Sequence, residues 1–249
     1  MIEALKTNWK KYLIEAWALG MFMVSAIAFT ILFEHPSSGL ASFITSAFMR
    51  RFCIALAMGL TAIVLIYSKW GKQSGAHMNP AVTLANLQLE RINKNDAAWY
   101  IIFQTAGSVF FVFLFKLFMP AIASVASVNY AVTVPAKDAT VWAALAECIM
   151  SFVLLLSLLF VSSSRYEKYT GCIAGLLVCT FITFEAPLSG MSINPARSFG
   201  SAVVAGEWNN FWIYILFPVA GMQAAAFIFT KWKEAEVKKN VNNRSVSVF

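Results

Sequence analysis

Six apolar stretches, at about residues 12–33, 52–68, 98–119, 140–163, 170–187 and 210–231, each approach the ~20 residues an α-helix needs to cross hydrocarbon. Spans of that kind, six in number, predict an all-α membrane protein. Composition agrees: 59% of the 249 residues are apolar, 12% are charged and mean hydropathy is +0.69, whereas a water-soluble domain carries about 25% charged residues. A soluble enzyme domain is excluded, and no catalytic residue is proposed.

The net charge of +7 is explained by topology rather than by a nucleic-acid partner. With both termini inside, Lys and Arg from Lys6, Lys10 and Lys11 to Lys238 and Lys239 gather on the cytoplasmic side, and only Arg50, Arg51 and Lys137 lie outside. Lys116, near the outer end of span three, can snorkel to the headgroups. The first span lacks a small-residue cleavage site and is expected to stay as an anchor in the cell membrane. Cys53, Cys148, Cys172 and Cys179 fall inside spans without a C-x-x-C pair, so neither a disulfide framework nor a metal site is expected. No cofactor is implied. Residues 1–11 read as a cytoplasmic segment, 12–231 as the membrane domain, and 232–249 as a polar, basic and loosely ordered cytoplasmic tail in contact with anionic lipid.

The chain repeats itself. Asn79-Pro80-Ala81 returns as Asn194-Pro195-Ala196, 115 residues later; at an offset of 114, Tyr100, Phe103, Ala106 and Gly107 fall on Tyr214, Phe217, Ala220 and Gly221. Glu15 in span one has its counterpart in Glu147 of span four. The repeats, about 12–119 and 140–231, each hold three spans and one extra segment. Three is odd, so the second copy must be inverted about an axis in the membrane plane.

The extra segments cannot cross. Residues 79–90 would make ~18 Å of helix at 1.5 Å per residue. Asn favours the N-cap and Pro the first helical position, so both triplets read as starts of re-entrant half-helices. Inversion brings one in from each side, with their N-termini meeting near the centre. Two such termini create a local positive potential, and the amides of Asn79 and Asn194 can donate to an oxygen passing between them. Carbonyls of Ala76, His77, Met78, Gly190, Met191 and Ser192 would supply acceptors along the wall. Cations should be repelled there, whereas a neutral donor and acceptor such as water fits. Arg197, one turn into the second half-helix, is an intramembrane charge and hence a functional candidate.

The stretches Ser74-Gly75-Ala76-His77-Met78-Asn79-Pro80-Ala81-Val82-Thr83 and Gly190-Met191-Ser192-Ile193-Asn194-Pro195-Ala196-Arg197-Ser198, set within six spans, resemble the aquaporin and glycerol-facilitator family, the major intrinsic proteins. The resemblance covers about residues 10–231. It implies six transmembrane helices plus two half-helices, a passive channel, and a homotetramer with one pore per subunit. It places Glu15 and Glu147 beside the re-entrant loops, where bracing of loop amides is favoured over a proton relay. It also implies a narrow outer filter of Met58, Ile182, Met191 and Arg197, where water-selective relatives typically have an aromatic on span two and His on span five. Ser198, Ala202 and Tyr214 look like the water-channel subgroup, and Ile215 does not.

A channel for water is therefore the leading expectation, with small neutral solutes such as glycerol left open. A secondary transporter shares inverted repeats and broken helices, and a closed structural member of the fold is a third alternative. His77 reads either as a pH sensor or as a loop-holding hydrogen-bonder, and Glu185 either as vestibule charge or as a solvated helix-end acid. Small residues such as Gly59, Gly107, Gly175 and Gly221 fit close helix contact within one chain or between protomers.

Overall fold

A computed structural model of the chain describes residues 1–246, with side chains through residue 239. Six long helices form: Ile2–Glu34, Ala47–Tyr67, Lys94–Phe118, Thr140–Ser162, Thr170–Ser189 and Trp212–Val246. All six are long and apolar enough to cross a membrane. Half-helices Pro80–Gln88 and Pro195–Ala205 precede spans three and six, and no strand occurs among the described residues.

Helix ends follow local chemistry. The first helix starts at Ile2, so the short N-terminal segment belongs to it. It ends where Pro36 forces His35 into an extended conformation at φ −70° and ψ 132°. Asn93 caps span three by accepting from the amide of Asp96 at 2.9 Å. The last helix departs from expectation: it runs to Val246, through much of the segment read as a loosely ordered tail. No Gly or Pro follows Gly221 to stop it, and Lys231 pairs with Glu234 one turn on at 2.9 Å. Residues 247–249 lie outside the described residues.

The packing has the symmetry that the repeat requires. Span one lies against spans two and three; span four lies against spans five and six; spans two and five meet at the centre. The first half-helix packs on span six and the second on span three. Exchanging the two halves leaves this set of contacts unchanged.

Glycine makes the two equivalent crossings possible. A Cβ on Gly107 would stand 2.2 Å from the carbonyl oxygen of Ala16, and one on Gly221 would stand 2.2 Å from that of Cys148. At the centre, a Cβ on either Gly59 or Gly175 would reach the other's carbonyl oxygen at 2.5 Å. These small residues therefore serve contact within one chain.

Candidate pore site

The two re-entrant loops are built alike. Each leaves its preceding helix through a left-handed glycine, Gly75 at φ 91° and Gly190 at φ 82°. Left-handed residues then recur at Ala76 and Met78 in the first loop and at Met191 and Ile193 in the second, all with φ between 47° and 50°. A non-glycine residue held this way costs about 1–3 kcal/mol, so something must hold these loops in shape.

Two buried carboxylates do so. Glu15 accepts from the amides of His77 at 3.0 Å and Met78 at 2.6 Å, from the Ser74 hydroxyl at 2.7 Å and from Gln104 at 2.7 Å. Glu147 accepts from the amides of Ser192 at 2.7 Å and Ile193 at 2.6 Å and from the Ser189 hydroxyl at 2.7 Å. Tyr100 donates to the carbonyl of Ser74 at 2.6 Å, and Tyr214 donates to that of Ser189. In this way the repeat extends to single hydrogen bonds.

Beyond the loops, Asn79 and Asn194 cap their half-helices. The Asn79 Oδ1 accepts from the amide of Ala81 at 2.8 Å, and that of Asn194 accepts from Ala196 at 3.2 Å and Arg197 at 3.3 Å. Their side-chain nitrogens cross the midplane: Asn79 Nδ2 donates to the Ile193 carbonyl at 2.7 Å, and Asn194 Nδ2 to the Met78 carbonyl at 2.7 Å. An amide nitrogen carries two protons, so each asparagine keeps one for a passing oxygen. Pro80, Ala81, Pro195 and Ala196 are buried.

A cavity of about 590 Å³ runs along this junction. Its wall includes Asn79 and Asn194 at the centre, Ala76, His77, Met78, Gly190 and Ser192 from the loops, and the four residues Met58, Ile182, Met191 and Arg197. Ile66 and Leu158 line one end, and Glu34 and Arg51 line the other. Nη1 of Arg197 is buried with no hydrogen-bond partner, and no hydrogen bond from its guanidinium to a loop carbonyl occurs among the described residues. Arg197 thus contributes an uncompensated guanidinium to the cavity wall. His77 lines the wall with Nδ1 3.1 Å from the Thr83 hydroxyl. Glu185 is not a lining residue: its Oε2 lies 2.8 Å from the Ser189 hydroxyl, whose single proton Glu147 also competes for, and its Oε1 is buried without a partner.

Sequence reasoning missed one part of the wall. The connection between the halves folds back into the mouth, where residues 126–129 and Ala131, Val132 and Val134 line the cavity. Thr133 and Ser198 hydroxyls meet at 2.6 Å, and the Ala136 amide donates to the Leu188 carbonyl at 2.8 Å. The signal was present: residues 121–136 contain no charged side chain, which is unusual for a loop in water. Thr30, Glu34 and Arg51 were missed as lining residues too.

Six spans around two opposed half-helices, with a cavity through their junction, define the architecture of a membrane channel. The sequence pattern of the major intrinsic protein family matches residues 3–229, and the chain belongs to that family. Aquaporin NIP3-1 of Arabidopsis thaliana is 34% identical over 71% of this chain and 55% of its own length. A glycerol uptake facilitator protein-like 6 of Lactiplantibacillus plantarum is 36% identical over 70% and 82% of the two chains, and aquaporin-4 of Bos taurus 30% over 90% and 67%. The chain thus spans little more than half the length of the plant relative. The X-ray structure of the aquaglyceroporin from Plasmodium falciparum shares the fold at a TM-score of 0.75 and 18% identity, over 89% of this chain and 95% of that one.

Proposed function

We propose that this protein is a passive pore for water that also admits small uncharged solutes. The observation that carries the reading is the pair of crossed asparagines: each half-helix tip presents one amide proton to the same cavity, between two helix N-termini. A molecule that donates and accepts hydrogen bonds exchanges its water shell for these groups, while a cation meets positive potential on both sides, the barrier general to aquaporin-type pores. Met58, Ile182, Met191 and Arg197 act as the filter toward the outer side. Its one charged donor is set against three apolar walls, a combination that suits solutes with both an alkyl and a hydroxyl face, and relatives named as a glycerol uptake facilitator-like protein and an aquaglyceroporin are in keeping with this.

A coupled transporter is less well supported. The two midplane acids, Glu15 and Glu147, are occupied as acceptors for loop amides and hydroxyls rather than turned to a substrate. The protein sits in the cell membrane with both termini in the cytoplasm and assembles as a homotetramer. Outward apolar faces such as Leu56, Leu60 and Val64 are available to neighbouring copies or lipid. Stopped-flow shrinkage of proteoliposomes tests the proposal: osmotic water permeability should stand well above that of empty vesicles, and equality with them would refute it.

A further inference from the structure

The mouth of the cavity at the Arg197 end contains a second arginine. Arg51 sits seven residues before Met58 on span two, two turns away on the same helix face and about 10.5 Å along the axis. Both residues line the cavity. Nε of Arg51 donates to the carbonyl of Thr183 at 2.8 Å, next in sequence to Ile182, so the guanidinium spans the two helices that supply those filter positions. The Phe48 ring lies 5.6 Å from its guanidinium carbon, a cation–π distance. These contacts hold the group in place while its terminal nitrogens take no protein acceptor among the described residues.

The neighbouring charges leave Arg51 uncompensated. Glu34 lines the same mouth, but its Oε2 is paired with Nε of Arg50 at 3.1 Å, and Arg50 also donates to the carbonyls of Ile44 and Thr45. The acid is therefore matched by Arg50, and the entrance retains one positive charge with a planar set of donors. A solute entering from bulk water loses part of its hydration before it reaches Arg197, and a fixed guanidinium can replace that hydration at acceptor oxygens.

We propose that Arg51 is a further specificity-determining residue, an entrance donor that engages the hydroxyl or carbonyl oxygens of small uncharged solutes ahead of Arg197. This rests on the channel reading above. The test is the ratio of glycerol to water permeability in proteoliposomes of the parent protein, Arg51→Gln and Arg51→Lys. On the scale of one charged hydrogen bond, Arg51→Gln should lower the ratio about tenfold and Arg51→Lys, which keeps the charge but not the planar fork, about threefold. If Arg51→Gln does not give folded, monodisperse protein, the fall in Arg51→Lys decides. A ratio within about twofold of the parent, or above it, overturns the role of Arg51 and leaves the channel standing. A parent protein permeable to neither glycerol nor water overturns both.

Discussion

Asn79 and Asn194 each hold the other's loop: the side chain of one donates to the carbonyl just before the other, both at 2.7 Å. The same side chains cap their own helices through Oδ1, so one residue in each half sets the helix start, ties the halves together and faces the lumen. Asn79→Ala should lose both a cap, worth about 1 kcal/mol, and the cross-tie, worth about another 1 kcal/mol. Thermal unfolding in detergent should show a lower midpoint for Asn79→Ala and a similar drop for Asn194→Ala, because the two sites are equivalent.

The buried carboxylates make a stronger claim. Glu147→Ala would leave the amides of Ser192 and Ile193 without their acceptor, at about 1–3 kcal/mol for each orphaned group. The variant should yield little folded protein. Glu147→Gln keeps one acceptor oxygen and should fold with reduced thermal stability. Retention of the parent midpoint by Glu147→Ala would contradict the bracing geometry.

Much of this arrangement is legible in the sequence because it rests on residues with few alternatives. Asn-Pro at a helix start, an acid within an apolar span and a repeat of three spans each leave little freedom, and the structure places all of them around one junction. For residues 126–134 the absence of charge marks a segment held out of water, but the backbone course is not legible. Nothing in local propensity specifies the left-handed run Asn129, Tyr130 and Ala131, with φ of 35°, 50° and 52°; it is held by tertiary contacts, with Tyr130 buried. The course of the last helix beyond the bilayer was missed for another reason. Polarity after Lys231 suggests loose order, although residues 231–239, rich in Lys and Glu, favour helix.

Glycine positions offer a test of the pseudo-symmetry itself. Gly107→Ala and Gly221→Ala both force a methyl group against a backbone carbonyl, and overpacking of this kind typically costs about 1–3 kcal/mol. The two variants should lose comparable thermal stability in detergent. A large loss in one and none in the other would show that the two crossings are not equivalent.

The filter assignment predicts an exchange of selectivity. Met58→Phe should narrow the lumen opposite Arg197, and Ile182→His should add a donor that favours water. Each should lower glycerol permeability relative to water by about tenfold, the scale on which a pocket discriminates by a methylene or two. Unchanged ratios in both variants would place the filter elsewhere.

Passage of water and exclusion of ions at the junction of the half-helices are read together by paired flux measurements on one proteoliposome preparation. Osmotic water permeability should rise well above that of empty vesicles, while proton and sodium conductance across the same membranes stays at the lipid background. A conductance carried by protons or sodium, or water flux no faster than through bare lipid, would contradict the account.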